Sequence, residues 1–311
     1  MKNLRPILLV GCTAVGKSRL AKELAELSPS VIINADAIQV YNCWKILSAR
    51  PTEKDMQSIR HALFGHVSCY DQYDVGRWLN AVELELVKAK KLNLRPIIVG
   101  GTGLYFSLLL EGLANIPRIS DRTRIKSEKL INVDFELLLK ELEIADPKIF
   151  TVVDPSNLVR VKRAWEVLKQ TGKSIRYWQQ NSLPPLLNID MVHPIIVWSE
   201  TNLINKNIDE RFKSMISHGV IQEVQNVLNE VDYNTEISLG AFKAIGFKEI
   251  KAFINKEITF STLETEMICK TRQYAKKQRT WYRNKFYTWK PVMINKSTNI
   301  KTIAQDIDNK N

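Results

Sequence analysis

Apolar and polar positions along the chain fall into two textures. Ile7-Leu8-Leu9-Val10, Val31-Ile32-Ile33 and Pro96-Ile97-Ile98-Val99 are short, continuous apolar runs, as expected of strands buried on both faces. After the first run, Leu20, Ala21, Leu24, Ala25 and Leu27 recur at helical spacing, and a second helix is predicted near Trp78 to Lys91. A further apolar run, Ile195-Ile196-Val197-Trp198, comes much later. Strands alternating with helices predict a parallel sheet covered by helices, with functional residues just beyond the strands' carboxyl ends.

Between about residues 117 and 190 the strand-like runs vanish. Charged helical patterns replace them, as at Phe135 to Leu142 and Leu158 to Leu168, and Leu183-Pro184-Pro185-Leu186 reads as a linker. The predicted organisation is an α/β core begun in residues 1–116, a mainly helical insertion domain in 117–190, and a return to the core in 191–291. A polar tail, 292–311, is expected to be loosely ordered.

Gly11-Cys12-Thr13-Ala14-Val15-Gly16-Lys17-Ser18 joins the first strand to the first helix. Read with its basic N-terminal flank, Leu9-Val10-Gly11-Cys12 imitates a lipoprotein signal. Only Ile7 to Val10 would form its apolar region, against roughly 7–15 residues in a true signal. Strand, glycine loop and helix in that order are instead the context of a phosphate-binding loop. Backbone N–H groups and the helix dipole meet phosphate oxygens, Lys17 adds a cation, and the Ser18 hydroxyl is placed for Mg²⁺. The fold class predicted is therefore a P-loop NTPase-like α/β sheet with a helical insertion.

The other strand ends also carry chemistry. Asp36, in Asn34-Ala35-Asp36-Ala37-Ile38-Gln39, is placed to take a proton or to help bind metal. Gln39 has the amide geometry that pairs with an adenine edge, although sequence alone makes it only a loop amide. Gly100-Gly101-Thr102-Gly103 suggests a second close approach of backbone to an anion. His61, His66 and Cys69 lie near one another without a convincing fourth ligand for zinc. The four cysteines, with no C-x-x-C spacing, fit reduced, cytoplasmic usage, and no apolar run reaches the roughly 20 residues of a membrane span.

The net charge of +12 favours a polyanionic partner. Arg272, Lys276, Arg279 and Arg283 step by four, three and four, so a helix carries them on one face, with Tyr274, Trp281 and Tyr282 interleaved. No acidic residue occurs from Met267 through Gln305, which favours nucleic-acid binding over a merely solvated helix. Arg160, Lys162 and Arg163 form a second basic cluster in the insertion.

Six segments in order resemble the bacterial tRNA dimethylallyltransferase family, also called tRNA isopentenyltransferases or IPP transferases. They are residues 11–18, Asn34 to Tyr41, Val99 to Phe106, Arg160-x-x-Arg163-Ala164-x-Glu166-Val167, Ala244 to Glu249 and Thr271 to Trp281, and the likeness spans about residues 6 to 290. The resemblance implies transfer of a dimethylallyl group from dimethylallyl diphosphate to N6 of the adenosine 3′ to the anticodon, with Mg²⁺ assisting. In this family the loop grips the prenyl diphosphate, and the target base is flipped from its stack. It further implies Asp36 as general base, Thr102 near the bridging oxygen and Arg211 near the diphosphate. Contacts to the anticodon stem-loop fall on Asp36 to Gln39, Thr102, Arg124, Val159, Arg160, Val161, Lys162, Arg163, Lys243, Gly246, Lys248, Arg272, Lys276, Lys277, Gln278, Arg279 and Arg283. A cytoplasmic monomer is expected.

Three positions depart from the family pattern: Cys12 replaces a proline, Ala37 a serine and Leu47 a glycine. The strand around His61, His-rich in the family, is also altered. Two other readings of the same loop are a P-loop kinase of a small metabolite and a nucleic-acid-dependent NTPase. The basic stripe is superfluous for the first, and the second lacks a further strand ending in a Walker-B acid.

Overall fold

A computed structural model describes residues 5–230 and 240–309. It divides into two compact units, Met1–Leu110 with Leu186–Asn311 and Glu111–Pro185. The larger unit is built on six parallel strands: β1 (Ile7–Gly11), β2 (Ser30–Asn34), β3 (Arg60–Ala62), β4 (Arg95–Gly100), β5 (His193–Trp198) and β6 (Lys290–Met293). Their order in the sheet is β3-β2-β4-β1-β5-β6. β1 lies between β4 and β5, with Leu9 opposite Val99 on one side and Ile195 on the other. Every residue of β1, β2 and β4 is buried, which is why their sequences run apolar instead of alternating. The edge strands β3 and β6 are short, three and four residues, and carry few apolar side chains, so neither shows in the hydrophobic pattern.

Helices α1 (Lys17–Leu27), α2 (Glu53–Ser58), α3 (Val75–Lys91) and α4 (Gly103–Glu111) accompany the first four strands. After the helical unit come α9 (Thr201–Ser217), α10 (Val220–Glu230), α11 (Phe247–Ile254), α12 (Phe260–Lys285) and α13 (Ile300–Asp308). The tail is not loose, contrary to the sequence expectation. β6 extends the sheet beside β5, and α13 packs on α1 with Ile300, Ala304 and Ile307 buried. Arg95 is 1% exposed and pairs with Asp308, which pins the last helix to the sheet. That tail contributes only four buried apolar residues, Ile294 and three on a polar helix, too few for its composition to signal order.

The helical unit holds α5 (Asp121–Val133), α6 (Phe135–Ala145), α7 (Leu158–Thr171) and α8 (Ile175–Gln180) around its own core of Leu138, Leu142, Ile149, Val161, Ala164 and Trp165. It begins and ends a few residues earlier than the predicted insertion, at Glu111 and Pro185. Asp146 ties its loops together, accepting from Arg176 Nε and Nη2, both at 2.9 Å, and from Ser174 Oγ at 2.7 Å. The Arg176 guanidinium holds this carboxyl down at about 2. Because the folded value lies below the unfolded one of about 3.9, the stabilisation is complete above that value and is lost as pH falls through about 2. Arg176→Ala should therefore destabilise the unit at neutral pH. In urea unfolding that difference should shrink as pH approaches 2; a pH-independent difference would contradict it.

Candidate active site

The strand ends of the larger unit converge on a cavity of about 1030 Å³. That is at the top of the range for one small ligand, about 300–1,000 Å³, so it has room for a small diphosphate and part of a second reactant. Residues 13–18, Asp36 to Gln39, Gly100 to Thr102, Arg211, Lys243, Tyr274 and Gln278 all line it.

The glycine loop has the geometry its sequence predicts. Ala14 and Gly16 adopt left-handed backbone, φ 61° and 99°, which turns successive N–H groups toward one concavity at the start of α1. Gly11 admits no side chain, since a Cβ would meet Val15 and the Val197 carbonyl oxygen at 2.9 Å. Lys17 Nζ donates to the Cys12 carbonyl at 2.7 Å. Burial lowers the Lys17 ammonium to about 8, opposed by Cys12 and Asp36 and assisted by the nearby Arg211 cation. Arg211 donates from Nη1 to Thr13 Oγ1 and from Nη2 to the Ser48 carbonyl, each at 3.2 Å. Burial lowers its pKa too, and Asp36 opposes that shift. The Lys17 and Arg211 side chains thus bring two cations to the loop at the start of α1.

Asp36 is fixed by its neighbours. Its Oδ1 accepts from the N–H groups of Ile38 at 2.9 Å and Gln39 at 3.3 Å, and its own N–H donates to Asn34 Oδ1 at 3.0 Å. Asn34, fully buried, donates back to the Asp36 carbonyl at 3.1 Å. Oδ2 faces Gly101, 3.6 Å from where a Cβ would stand there. Thr102 Oγ1 accepts from the Ala37 N–H at 3.0 Å, so the hydroxyl proton is left to point elsewhere. One carboxylate oxygen is used to hold the loop and the other is turned toward the cavity wall beside Thr102.

Several expectations change. The glycines of Gly100-Gly101-Thr102-Gly103 do not cradle an anion. A Cβ on Gly100 would collide with the Ala35 carbonyl, one on Gly101 would come within 2.5 Å of Gln278 Nε2, and one on Gly103 would enter the Trp281 ring. They let the Asp36 loop and α12 close in on β4. Gln278, which the resemblance assigns to tRNA, is engaged within the protein: it is 6% exposed, accepts from Thr13 N at 2.9 Å and donates to the Gly101 carbonyl at 2.8 Å. Gln39 Nε2 is likewise engaged, donating to the Ser48 and Ala49 carbonyls at 3.0 and 3.1 Å. His61 meets the Ile59 carbonyl and His66 the Tyr73 hydroxyl, and among the described residues no group of three His, Cys, Asp or Glu forms a metal cluster.

The basic stripe lies on α12 as its spacing predicts. Its aromatic neighbours divide: Tyr282 is buried, donating to the Gly101 carbonyl at 2.7 Å, whereas Tyr274 lines the cavity. Arg279 and Arg283 stand over the Trp198 ring at 5.0 and 5.3 Å, and Lys276 and Lys277 are exposed. The stripe does have a balancing acid, supplied by another helix: Arg272 pairs with Asp209 of α9 at 2.7 Å. Lys243 and Lys248 are exposed, whereas Gly246 is buried, with φ 97°, against Met267 and Leu47. In the helical unit Val159 and Arg160 are exposed and Arg163 lies near Glu166. Val161 is a core residue, Lys162 pairs with Glu128, and Arg124 is half-buried.

Arg211 carries no pattern that sets it apart from other charged residues on an amphipathic helix; only the resemblance singled it out. Asn207, which donates to the Ala14 carbonyl at 2.9 Å, was legible by no signal, and Gln278 was marked by the resemblance alone and for another role, because both bridge elements distant in sequence.

Family comparison agrees with this geometry. Residues 39–285 match the family model described as IPP transferase, and residues 4–67 match one described as isopentenyl transferase. A tRNA dimethylallyltransferase of Ruegeria sp. (strain TM1040) is 41% identical over 288 residues, covering 93% of this chain and 95% of that protein. One from Cereibacter sphaeroides (strain KD131 / KCTC 12085) is 39% identical over 291 residues, covering 93% of this chain and 89% of its own. The crystal structure of the tRNA isopentenylpyrophosphate transferase of Bacillus halodurans is similar with a TM-score of 0.67 at 26% identity, covering 99% of this chain and 96% of that one. A eukaryotic dimethylallyltransferase acting on tRNA shares the fold, with a TM-score of 0.81 at 24% identity over 97% of this chain and 76% of its own. With a family model matched over most of its length and relatives this similar, the chain belongs to the IPP transferase family.

Proposed function

We propose that this protein is a tRNA dimethylallyltransferase: it moves the dimethylallyl group of dimethylallyl diphosphate to N6 of the adenosine 3′ to the anticodon and releases diphosphate. The observation that carries this reading is the shared cavity. A phosphate loop with two cations opens into the same chamber as a fixed carboxylate and a threonine hydroxyl. A kinase reading leaves the α12 stripe without a partner.

The residues divide the work. Adenine N6 is a weak nucleophile because its lone pair is delocalised into the ring. As the N6–C1 bond forms, the N6 proton passes to the Asp36 carboxylate, and the C1–O bond breaks with its electron pair leaving on diphosphate. The negative charge on that leaving group is met by the loop N–H groups, Lys17 and Arg211, which are already in place before reaction. Thr102, held by the Ala37 N–H, has its proton free to direct at the bridging oxygen. Ser18, at the start of α1, would hold Mg²⁺ through its hydroxyl oxygen, the kind of hard ligand that ion prefers. Bound there, Mg²⁺ would add neutralising charge. The exposed lysines and arginines of α12, with Arg160 and Arg163, supply phosphate-backbone contacts for an anticodon stem-loop. A cytoplasmic, monomeric enzyme completes this reading.

The test is chemical. Protein incubated with dimethylallyl diphosphate, Mg²⁺ and unmodified tRNA should yield an adenosine heavier by one dimethylallyl group after nuclease digestion and mass analysis. No prenylated nucleoside there, with ATP hydrolysed in a parallel incubation that supplies it, would overturn the reading in favour of an NTPase.

A further inference from the structure

Glu223, on α10, does not line the cavity, yet its carboxylate is committed to the loop that shapes one wall of it. Oε1 accepts from the N–H groups of Lys45 at 2.8 Å and Ile46 at 2.9 Å, and Oε2 accepts from Leu47 N at 2.8 Å. Three consecutive backbone donors on one carboxylate fix the direction in which the chain leaves Leu47. The next residue is Ser48, whose carbonyl oxygen accepts from both Arg211 Nη2 at 3.2 Å and Gln39 Nε2 at 3.0 Å. Ala49 follows with a left-handed φ of 48° and gives its carbonyl to Gln39 as well. The Ser48 hydroxyl closes the turn by donating to the Trp44 carbonyl at 2.7 Å.

Arg211 depends on this turn. Its two recorded hydrogen-bond partners, Thr13 Oγ1 and the Ser48 carbonyl, are both neutral acceptors. The guanidinium is therefore aimed by where the Ser48 carbonyl stands, and that is set by the loop Glu223 grips. We infer that Glu223 is a positioning residue for prenyl transfer, acting through the Ser48 carbonyl to hold Arg211 against the leaving diphosphate. The inference rests on the function proposed above.

Glu223→Gln tests it, because one acceptor oxygen becomes an NH₂ group facing backbone N–H donors while size is kept. A displacement on the order of 1 Å in a positioned group costs up to about a hundredfold in rate. Glu223→Gln should lower the single-turnover rate of prenyl transfer by about tenfold to a hundredfold. The affinity for tRNA, dominated by phosphate contacts, should change less than about twofold. Amide exchange at Lys45, Ile46 and Leu47 should accelerate. In an Arg211→Ala background the same substitution should cost less than about threefold, since the group it positions is gone. Glu223→Asp, which keeps the charge, should recover part of the rate, and it carries the same cycle if the glutamine variant does not fold. Equal losses in both Arg211 backgrounds, or an unchanged rate in the wild-type background, would overturn the inference. If wild-type protein forms no prenylated adenosine, the proposed function fails instead, which keeps the two failures distinct.

Discussion

Asp36→Asn is expected to lower the rate of prenyl transfer by about 10²- to 10⁴-fold, the usual contribution of a positioned general base. The substitution is nearly isosteric. The asparagine Oδ1 still accepts from Ile38 and Gln39, so the loop that Asn34 and Thr102 hold should keep its shape. What is lost is the oxygen facing Gly101 as a proton acceptor, since an amide nitrogen cannot take the N6 proton. The loss should therefore fall on the chemical step. Binding of tRNA and of dimethylallyl diphosphate should stay within about threefold of wild type, because phosphate contacts dominate both. Single-turnover rates at saturating donor and tRNA read this directly. An Asn variant that turns over at the wild-type rate would remove Asp36 from the role of base.

Lys17→Met should be of similar severity, roughly a thousandfold, because a pre-placed cation facing developing charge disappears from a recessed site. The native lysine also predicts a pH dependence. Burial puts its ammonium at about 8 in the empty site. Below that pH the group is charged and ready for an anion; as pH rises through it the proton is lost and the loop loses a cation. A bound diphosphate brings negative charge beside the ammonium and raises its pKa again. Thus kcat/KM for the donor, which reports the empty enzyme, should fall above about pH 8. By contrast, kcat, which reports the occupied enzyme, should stay level to higher pH. Lys17→Arg keeps its charge throughout and should remove the fall. A wild-type kcat/KM that is flat from neutral pH to well above 8 would contradict the assignment.

How much of this was legible in the sequence depends on whether a signal was local. The strand β1, the glycine loop and α1 follow one another in the chain, so their order alone predicted the strand-loop-helix unit that is observed, and Asp36 was placed by the strand it follows. Buried strands were readable because continuous apolar runs such as Ile7 to Val10 are cheap to recognise. β6 and α13 were not, because each gains its order from a partner far away in sequence, β5 for one and α1 for the other. The same physics governs the site. Gln278 reads as one more polar residue in a basic helix until α12 is folded across β1 and β4, when its amide braces Thr13 and Gly101. The stripe's apparent lack of acids was a local statement, and Asp209 answers Arg272 from another helix. The glycines after β4 were correctly marked as unusual, but the close neighbour proved to be protein, the Ala35 backbone and the Trp281 ring, instead of an anion.

The central claim is that the phosphate loop holds a group that departs, not a nucleotide that donates phosphate. Measuring diphosphate release alongside prenylated adenosine, with ATP absent, tests it most directly. The account predicts one diphosphate per prenylated adenosine and none without tRNA. Product that forms only when ATP is supplied, or phosphate released in place of diphosphate, would contradict it.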